Sequence, residues 1–281
     1  MLKNLRLNVS TVTGLIGLGL IIILVIVAIL APFISPYEPD RGTLTSRLRP
    51  PAWAEGGSSE YLLGTDSIGR DMLTRLIYGA RTSLIVASFA ILLAGTIGTT
   101  LGIIAGYMGG WIETIIMRVV DLAFAFPAIL LAMVFAVVFE PGFGNIIIVI
   151  SLILWAEYAR MARGETLRVK EMDYVALAKV AGISRVQIML KHILPNISTS
   201  LIVLATLQVG IVIILESSLS FLGVGIPPPT PSWGTMIADG RSYIVTAWWL
   251  SLVPGVAIVT TVLSFNLLGD ALTEILNPGQ Q

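Results

Sequence analysis

Cysteine is absent from the 281-residue chain. That excludes disulfides, Cys-based zinc or iron–sulfur sites, a thiol nucleophile and a Cys-linked lipid, and it leaves no reading of the redox compartment. Charge is scarce too: Asp, Glu, Lys and Arg make up 12% of residues, about half of the ~25% usual in soluble domains. Histidine occurs once, as His192, and no H-E-x-x-H is present, which argues against an intramembrane metalloprotease. G-x-x-x-x-G-K-[ST] is missing, so the chain has no P-loop to cradle ATP phosphates. G-x-S-x-G is missing as well, and no internal repeat stands out, which weakens an inverted-repeat secondary carrier. Seventeen Lys+Arg balance seventeen Asp+Glu. Zero net charge removes the basic footprint of a nucleic-acid binder, so no nucleic-acid partner is expected.

Apolar chain is what the sequence has in quantity. Hydrophobic residues make up 56%, and mean hydropathy is +0.90. A soluble fold of this length cannot hide that much apolar surface, which leaves an all-α polytopic membrane protein in contact with membrane lipid. Charges fall in clusters, separated by uncharged runs at 7–37, 82–112, 122–139, 141–156, 192–215, 217–238 and 242–269. A bilayer core needs roughly 20 apolar residues at about 1.5 Å each. Six transmembrane helices are expected, near 14–34, 83–105, 116–138, 143–159, 197–221 and 250–271. The first follows Lys3 and Arg6 like a secretory signal. Its apolar run is too long for one and no A-x-A site follows, so it reads as a retained anchor.

Between Arg160 and Lys191 stand seven basic residues (Arg160, Arg163, Arg168, Lys170, Lys179, Arg185, Lys191) against Glu165, Glu171 and Asp173. A short, strongly positive loop belongs in the cytoplasm. Counting spans from it places both termini in the cytoplasm and segments 35–80, 139–142 and 223–249 outside. Trp233, Trp248, Trp249 and Tyr243 suit the outer interface.

Several segments carry more than hydropathy. Ala94, Gly98, Gly102 and Gly106 recur every four residues, a small-residue face that lets another backbone approach, within the subunit or between subunits. Arg118 and Asp121 have i,i+3 spacing and are expected to pair at the membrane edge, with Pro127 kinking the helix beyond. In the basic loop, 173–181 has helix-forming composition, with Ala176, Ala178 and Ala181 giving a low-relief surface. Gly182 suits a left-handed stop. Ser184 and Gln187 have capping-box spacing for a second short helix at 185–192, and Pro195 closes the segment. Helix, glycine turn and helix hung between two spans have the shape of a docking element. Glu216 lies near the outer end of the fifth span, where solute contact, internal pairing and backbone hydrogen bonding all fit. The stretch Ile226-Pro-Pro-Pro-Thr-Pro-Ser-Trp233 is stiff chain that could dock an outer partner or hold its loop flat.

The run Tyr61-Leu-Leu-Gly-Thr-Asp-Ser-Ile-Gly-Arg-Asp-Met-Leu-Thr-Arg-Leu-Ile-Tyr-Gly-Ala-Arg-Thr-Ser-Leu84 resembles a signature of the ABC-transporter permeases for dipeptides, oligopeptides and nickel. So do Gly106-Tyr-Met-Gly-Gly-Trp111, Glu216-Ser-Ser-Leu-Ser-Phe-Leu-Gly223, Pro231-Ser-Trp-Gly234 and Phe265-Asn-Leu-Leu-Gly-Asp270. The resemblance covers nearly the whole chain and is strongest to the dipeptide branch. The family's cytoplasmic E-A-A-x-x-x-G motif, with I-x-L-P downstream, aligns with Ala176–Gly182 and His192–Pro195. Gly182, Leu194 and Pro195 match. Ala176 stands where the motif names Glu, Leu177 where it names the first Ala, and His192 where it names Ile.

The resemblance implies a type I importer permease fold in the bacterial or archaeal cytoplasmic membrane. Residues 1–80 would be an anchor helix and outer loop, and 81–281 the permease core. It further implies a homologous permease partner, two cytoplasmic ATPase subunits that use ATP and Mg, and an extracytoplasmic substrate-binding protein. Asp173, Ala176, Ala178, Ala181, Gly182, Leu194 and Pro195 would form the ATPase-coupling loop. The chain itself would be no enzyme and bind no cofactor. Dipeptide, longer peptide, nickel chelate and glutathione remain open as solutes, with peptide favoured. A secondary transporter or channel leaves the ordered basic loop unexplained, and a membrane enzyme lacks a catalytic constellation.

Overall fold

The structure, a computed structural model, describes residues 2–140 and 142–276, with the side chains of 2–11 and 136 left aside. The sidedness expected of Lys3 and Arg6, of Pro141 in the 139–142 turn, and of the last five residues therefore falls outside the described residues. Among the described residues the fold is helical: α1 (Leu2–Ile34), α2 (Met72–Met108), α3 (Gly110–Phe124), α4 (Ala128–Val138), α5 (Phe143–Val169), α6 (Asp173–Val180), α7 (Arg185–Ile188), α8 (Leu194–Phe221), α9 (Trp233–Gly240) and α10 (Trp249–Leu276). Five segments are long and apolar enough to cross a membrane, and α3 with α4 makes a sixth crossing if that bent pair is one span.

The third span differs from the kinked helix expected of it. α3 and α4 meet at 93°. Pro127 has no N–H to continue the ladder and restricts Phe126 before it, so α3 stops at Phe124 and a new helix starts at Ala128. The fourth span also runs longer than expected. α5 stays helical through residues 160–169, where the charge pattern predicts loop.

α2 and α5 lie side by side in parallel along the small-residue face. A Cβ on Gly98 would meet the Trp155 carbonyl and lie 2.6 Å from Tyr158 Cβ. On Gly102 it would lie 2.7 Å from Ala162 Cβ, and on Gly106 2.8 Å from Thr166 Cβ. Ser151 Oγ donates to the Ala90 carbonyl at 3.2 Å on the same seam. The glycines therefore serve packing inside one subunit. α1 and α10 run antiparallel, with Gly14 against Ala271. The start of α1 and the end of α10 thus share the side occupied by the loop between α5 and α8.

On the opposite side, residues 35–71 fold into a cap. Asp66 accepts from the N–H groups of Ile68 and Arg70 at 3.0 and 2.9 Å and from Arg70 Nε at 2.6 Å. Arg70 and Arg75 reach Asp239 of α9 at 3.4 and 4.0 Å. Trp233 and Trp249 are not interfacial, being 1% and 4% exposed. Their indole N–H groups donate to the carbonyls of Leu76 and Thr65, pinning α9 to α2 and α10 to the cap. Trp248 stays partly exposed, and Tyr243 takes a hydrogen bond from Arg47.

Candidate functional site

α6 owes its end to Gly182. Its φ is +74°, a left-handed conformation that a side chain strains. Around it Ile183 N–H donates to the Ala178 carbonyl and Gly182 N–H to that of Lys179, both at 3.1 Å; this is the Schellman pattern. Ser184 then caps α7. Its Oγ accepts from Gln187 N–H at 3.4 Å and donates to Gln187 Oε1 at 3.3 Å.

Beyond this point the expected separate helix at 185–192 is replaced by something continuous. α7 passes through a π-turn at Met189–Ile193 straight into α8. Pro195 does not end the segment but sits in the first turn of α8, where its missing N–H is tolerated. The Leu194 N–H reaches back to Met189, one residue further than in an α-helix. Pushing on the loop therefore pushes on the fifth span without an intervening hinge.

The loop has two faces. Val175, Ala178, Ile188 and Ile193 are buried in a cluster with Ile103, Ala162, Val169 and Ile197, so Ala178 belongs to the attachment and not to the low-relief outer surface. Asp173, Ala176, Ala181, Gly182 and Pro195 are exposed, and Leu194 is half-buried. Two residues that the composition did not single out dominate the outer face: Leu177, 68% exposed, and Val180, 86% exposed. Val186 and Leu190 extend the apolar patch. The missed signal was simple: an α-helix presents 173, 176, 177, 180 and 181 on one face, and two of those five are large and apolar.

Much of the loop's positive charge is used internally. Arg163 is held by Glu113 of α3 through Nε at 2.8 Å. Arg168 pairs with Glu165 at 2.8 Å, and Lys170 donates to the Gly106 carbonyl at 2.9 Å. Asp121 pairs with Arg160 at 3.0 Å, not with Arg118 on its own helix. Arg160 also lies over the Phe124 ring at 4.0 Å, a cation–π seat that draws it toward α3. The contacts of Arg163 and Arg160 tie α3 to α5.

Glu216 is fully buried. Ser220 and Ser217 donate to its carboxyl at 2.8 and 3.4 Å. Ser220 Oγ in turn accepts from Ile226 N–H at 3.3 Å. Of the alternatives, internal hydrogen bonding is what the geometry displays. Through Ser220 the carboxyl ties the last turns of α8 to the chain leading into the Pro-rich stretch. Among the described residues no three His, Asp or Glu side chains converge as a metal site would.

Residues 98–281 match the family described as the binding-protein-dependent transport system inner membrane component. The chain belongs to that family. Residues 12–51 also match the N-terminal transmembrane domain of oligopeptide transport permease C. The permease is 43% identical to the dipeptide transport system permease protein DppC of Haemophilus influenzae, covering 94% of this chain and 90% of that one. It is 44% identical to DppC of Escherichia coli K12, covering 94% and 88%. It is 39% identical to the glutathione transport system permease protein GsiD of Pectobacterium atrosepticum, covering 98% and 89%. The permease is thus a multi-pass inner-membrane subunit of an ABC importer. Such a subunit works with an ATPase, a second permease and a binding protein.

Proposed function

We propose that this chain forms half of the translocation pathway for di- or oligopeptides. Its partners would be one homologous permease as a heterodimer, two cytoplasmic ATPase subunits and an extracytoplasmic binding protein. The observation that carries the reading is the loop at 170–195. A short helix bolted to the bundle by Val175 and Ala178 presents Leu177 and Val180 outward, and an exposed apolar patch on an otherwise polar loop suits a protein partner. Hydrolysis would then be done by the ATPases, with ATP and Mg held there. Their closure would move α6 and, through the unbroken α7–α8 run, the fifth span. The relatives' names favour peptides. The glutathione permease keeps a modified tripeptide within range, and a nickel chelate or another small solute is the alternative.

The test is coexpression with the partner genes, purification through a tag on this chain, and uptake in vesicles. Co-purification of two ATPase copies and one second permease, with ATP-dependent accumulation of a labelled dipeptide, is the expected result. Dipeptide uptake by this chain alone would point to a secondary transporter instead.

A further inference from the structure

Descending α5 from Phe143, the first charged residue is Glu157, about 21 Å along the helix. Its carboxylate accepts a hydrogen bond from Gln208 Nε2, at the middle of α8 within the uncharged run 192–215. Gln208 is fully buried, and its Oε1 has no partner. The basic residues that follow on α5 are engaged elsewhere: Arg160 with Asp121, Arg163 with Glu113, Arg168 with Glu165. Among the described residues no cation pairs with Glu157.

Its place on the helix is informative. Leu154, Tyr158 and Ala162 are buried, whereas Glu157 is half-buried on a face of α5 with Ile153, Met161, Arg160 and Gly164, of which Arg160 and Gly164 are exposed. Lipid does not sustain an unpaired carboxylate at that depth, and intramembrane acids face a bundle interior or water. A carboxylate and an amide carbonyl together offer acceptors and negative charge, and one of the two Nε2 N–H donors is already spent on the carboxylate.

We propose that Glu157 and Gln208 form a cation subsite on the wall of the translocation path, one that takes the protonated α-amino group of a peptide in transit. A primary ammonium brings three N–H donors and one positive charge, which answers the half-exposed carboxylate of Glu157. The subsite is a resting point and not a tight site, since a pathway must release what it binds. Gln208 acts as the positioning residue that holds the carboxylate toward the path. The peptide identity rests on the function proposed above; the exposure of Glu157 to water does not.

The experiment uses the full complex in proteoliposomes. Because the chain has no cysteine, Glu157→Cys can be probed with a membrane-impermeant cationic methanethiosulfonate. Labelling from the aqueous phase, slowed by saturating dipeptide and liganded binding protein, is expected. Glu157→Gln should lower kcat/KM for uptake about tenfold, the loss of one charge-assisted hydrogen bond, with assembly and the binding protein's own affinity unchanged. Glu157→Asp should retain most uptake. Absence of labelling, or uptake by the Gln variant equal to wild type, would overturn the subsite while leaving the importer reading intact. A wild-type complex that moves no dipeptide would instead remove the peptide reading, and labelling would still decide whether Glu157 faces the path.

Discussion

Gly182 separates backbone strain from crowding, because a Cβ there would meet nothing within 4 Å while φ stands at +74°. Substitution is therefore penalised by the left-handed conformation alone. Gly182→Asn should be nearly neutral, Gly182→Ala should cost about 1 kcal/mol, and Gly182→Val about 2 kcal/mol or more. The spans lie outside this turn, so the Val variant should reach the membrane and pair with its partner permease yet lose ATPase subunits on purification. Wild-type recruitment and uptake with Val would show the loop to be a passive connector. Glu216 poses the opposite case, full burial with satisfied hydrogen bonds. Glu216→Gln should assemble and transport, while Glu216→Lys buries a cation among hydroxyls and should abolish assembly, read as loss of the chain from the purified complex. Asp239 gives a pH prediction. Burial raises its carboxyl above the usual range, with Arg75 and Arg70 pulling it partly back. A raised folded-state pKa means its contribution to stability is present at low pH and lost as pH rises through that value. Thermal unfolding should then show wild type losing stability over that window relative to Asp239→Asn, which has no such titration.

At the scale of elements, the α2–α5 seam sets the strictest demand. Gly102→Val would drive its side chain into Ala162 and the Ala159 carbonyl, with an overpacking cost of about 1–3 kcal/mol. Reduced yield of folded protein in detergent is the expected readout, and a yield equal to wild type would show that the helices slide apart freely. The small-residue face was legible in the sequence because it is a repeat of four on one helix, but its partner was not, since nothing in that repeat names the helix that approaches. The spans were legible from gaps between charges. The 93° break at Pro127 was read too gently, because a proline announces a lost hydrogen bond and not the angle, which tertiary packing sets. The end of α5 was misplaced for a related reason. Arg160, Arg163 and Arg168 read as loop by charge, yet each finds an acid on α3 or on its own helix, and a helix so supported continues past the apolar run. In the 170–195 loop, the glycine turn and serine cap are legible as local chemistry. Leu177 and Val180 are less legible, because three alanines dominate the segment and the docking of α6 decides which face turns outward. Trp233 and Trp249 looked interfacial by type, and only their carbonyl partners, far away in the chain, reveal them as anchors.

For the whole molecule, the antiparallel pairing of α1 with α10 places Leu2 and Leu276 on the side of the 170–195 loop, and the basic residues there predict that this side faces the cytoplasm. Single cysteines at Ser59 and Thr230, both exposed, should be labelled by an impermeant maleimide in intact cells, and one at Ser184 only after permeabilisation. Labelling at Ser184 alone in intact cells would invert the topology. Ser232 makes a poor probe, being buried as the cap of α9.

Keyed to α2 by glycines too close to slip, α5 is a stiff strut of 27 residues, about 40 Å from one membrane face to the other. Such a strut magnifies. A tilt of about 5°, imposed at the cytoplasmic end, carries the far end sideways by about 3.5 Å over that length, the width of a small solute's van der Waals contact. Opening on the outside then needs no bending of the subunit, only a slight rotation of it.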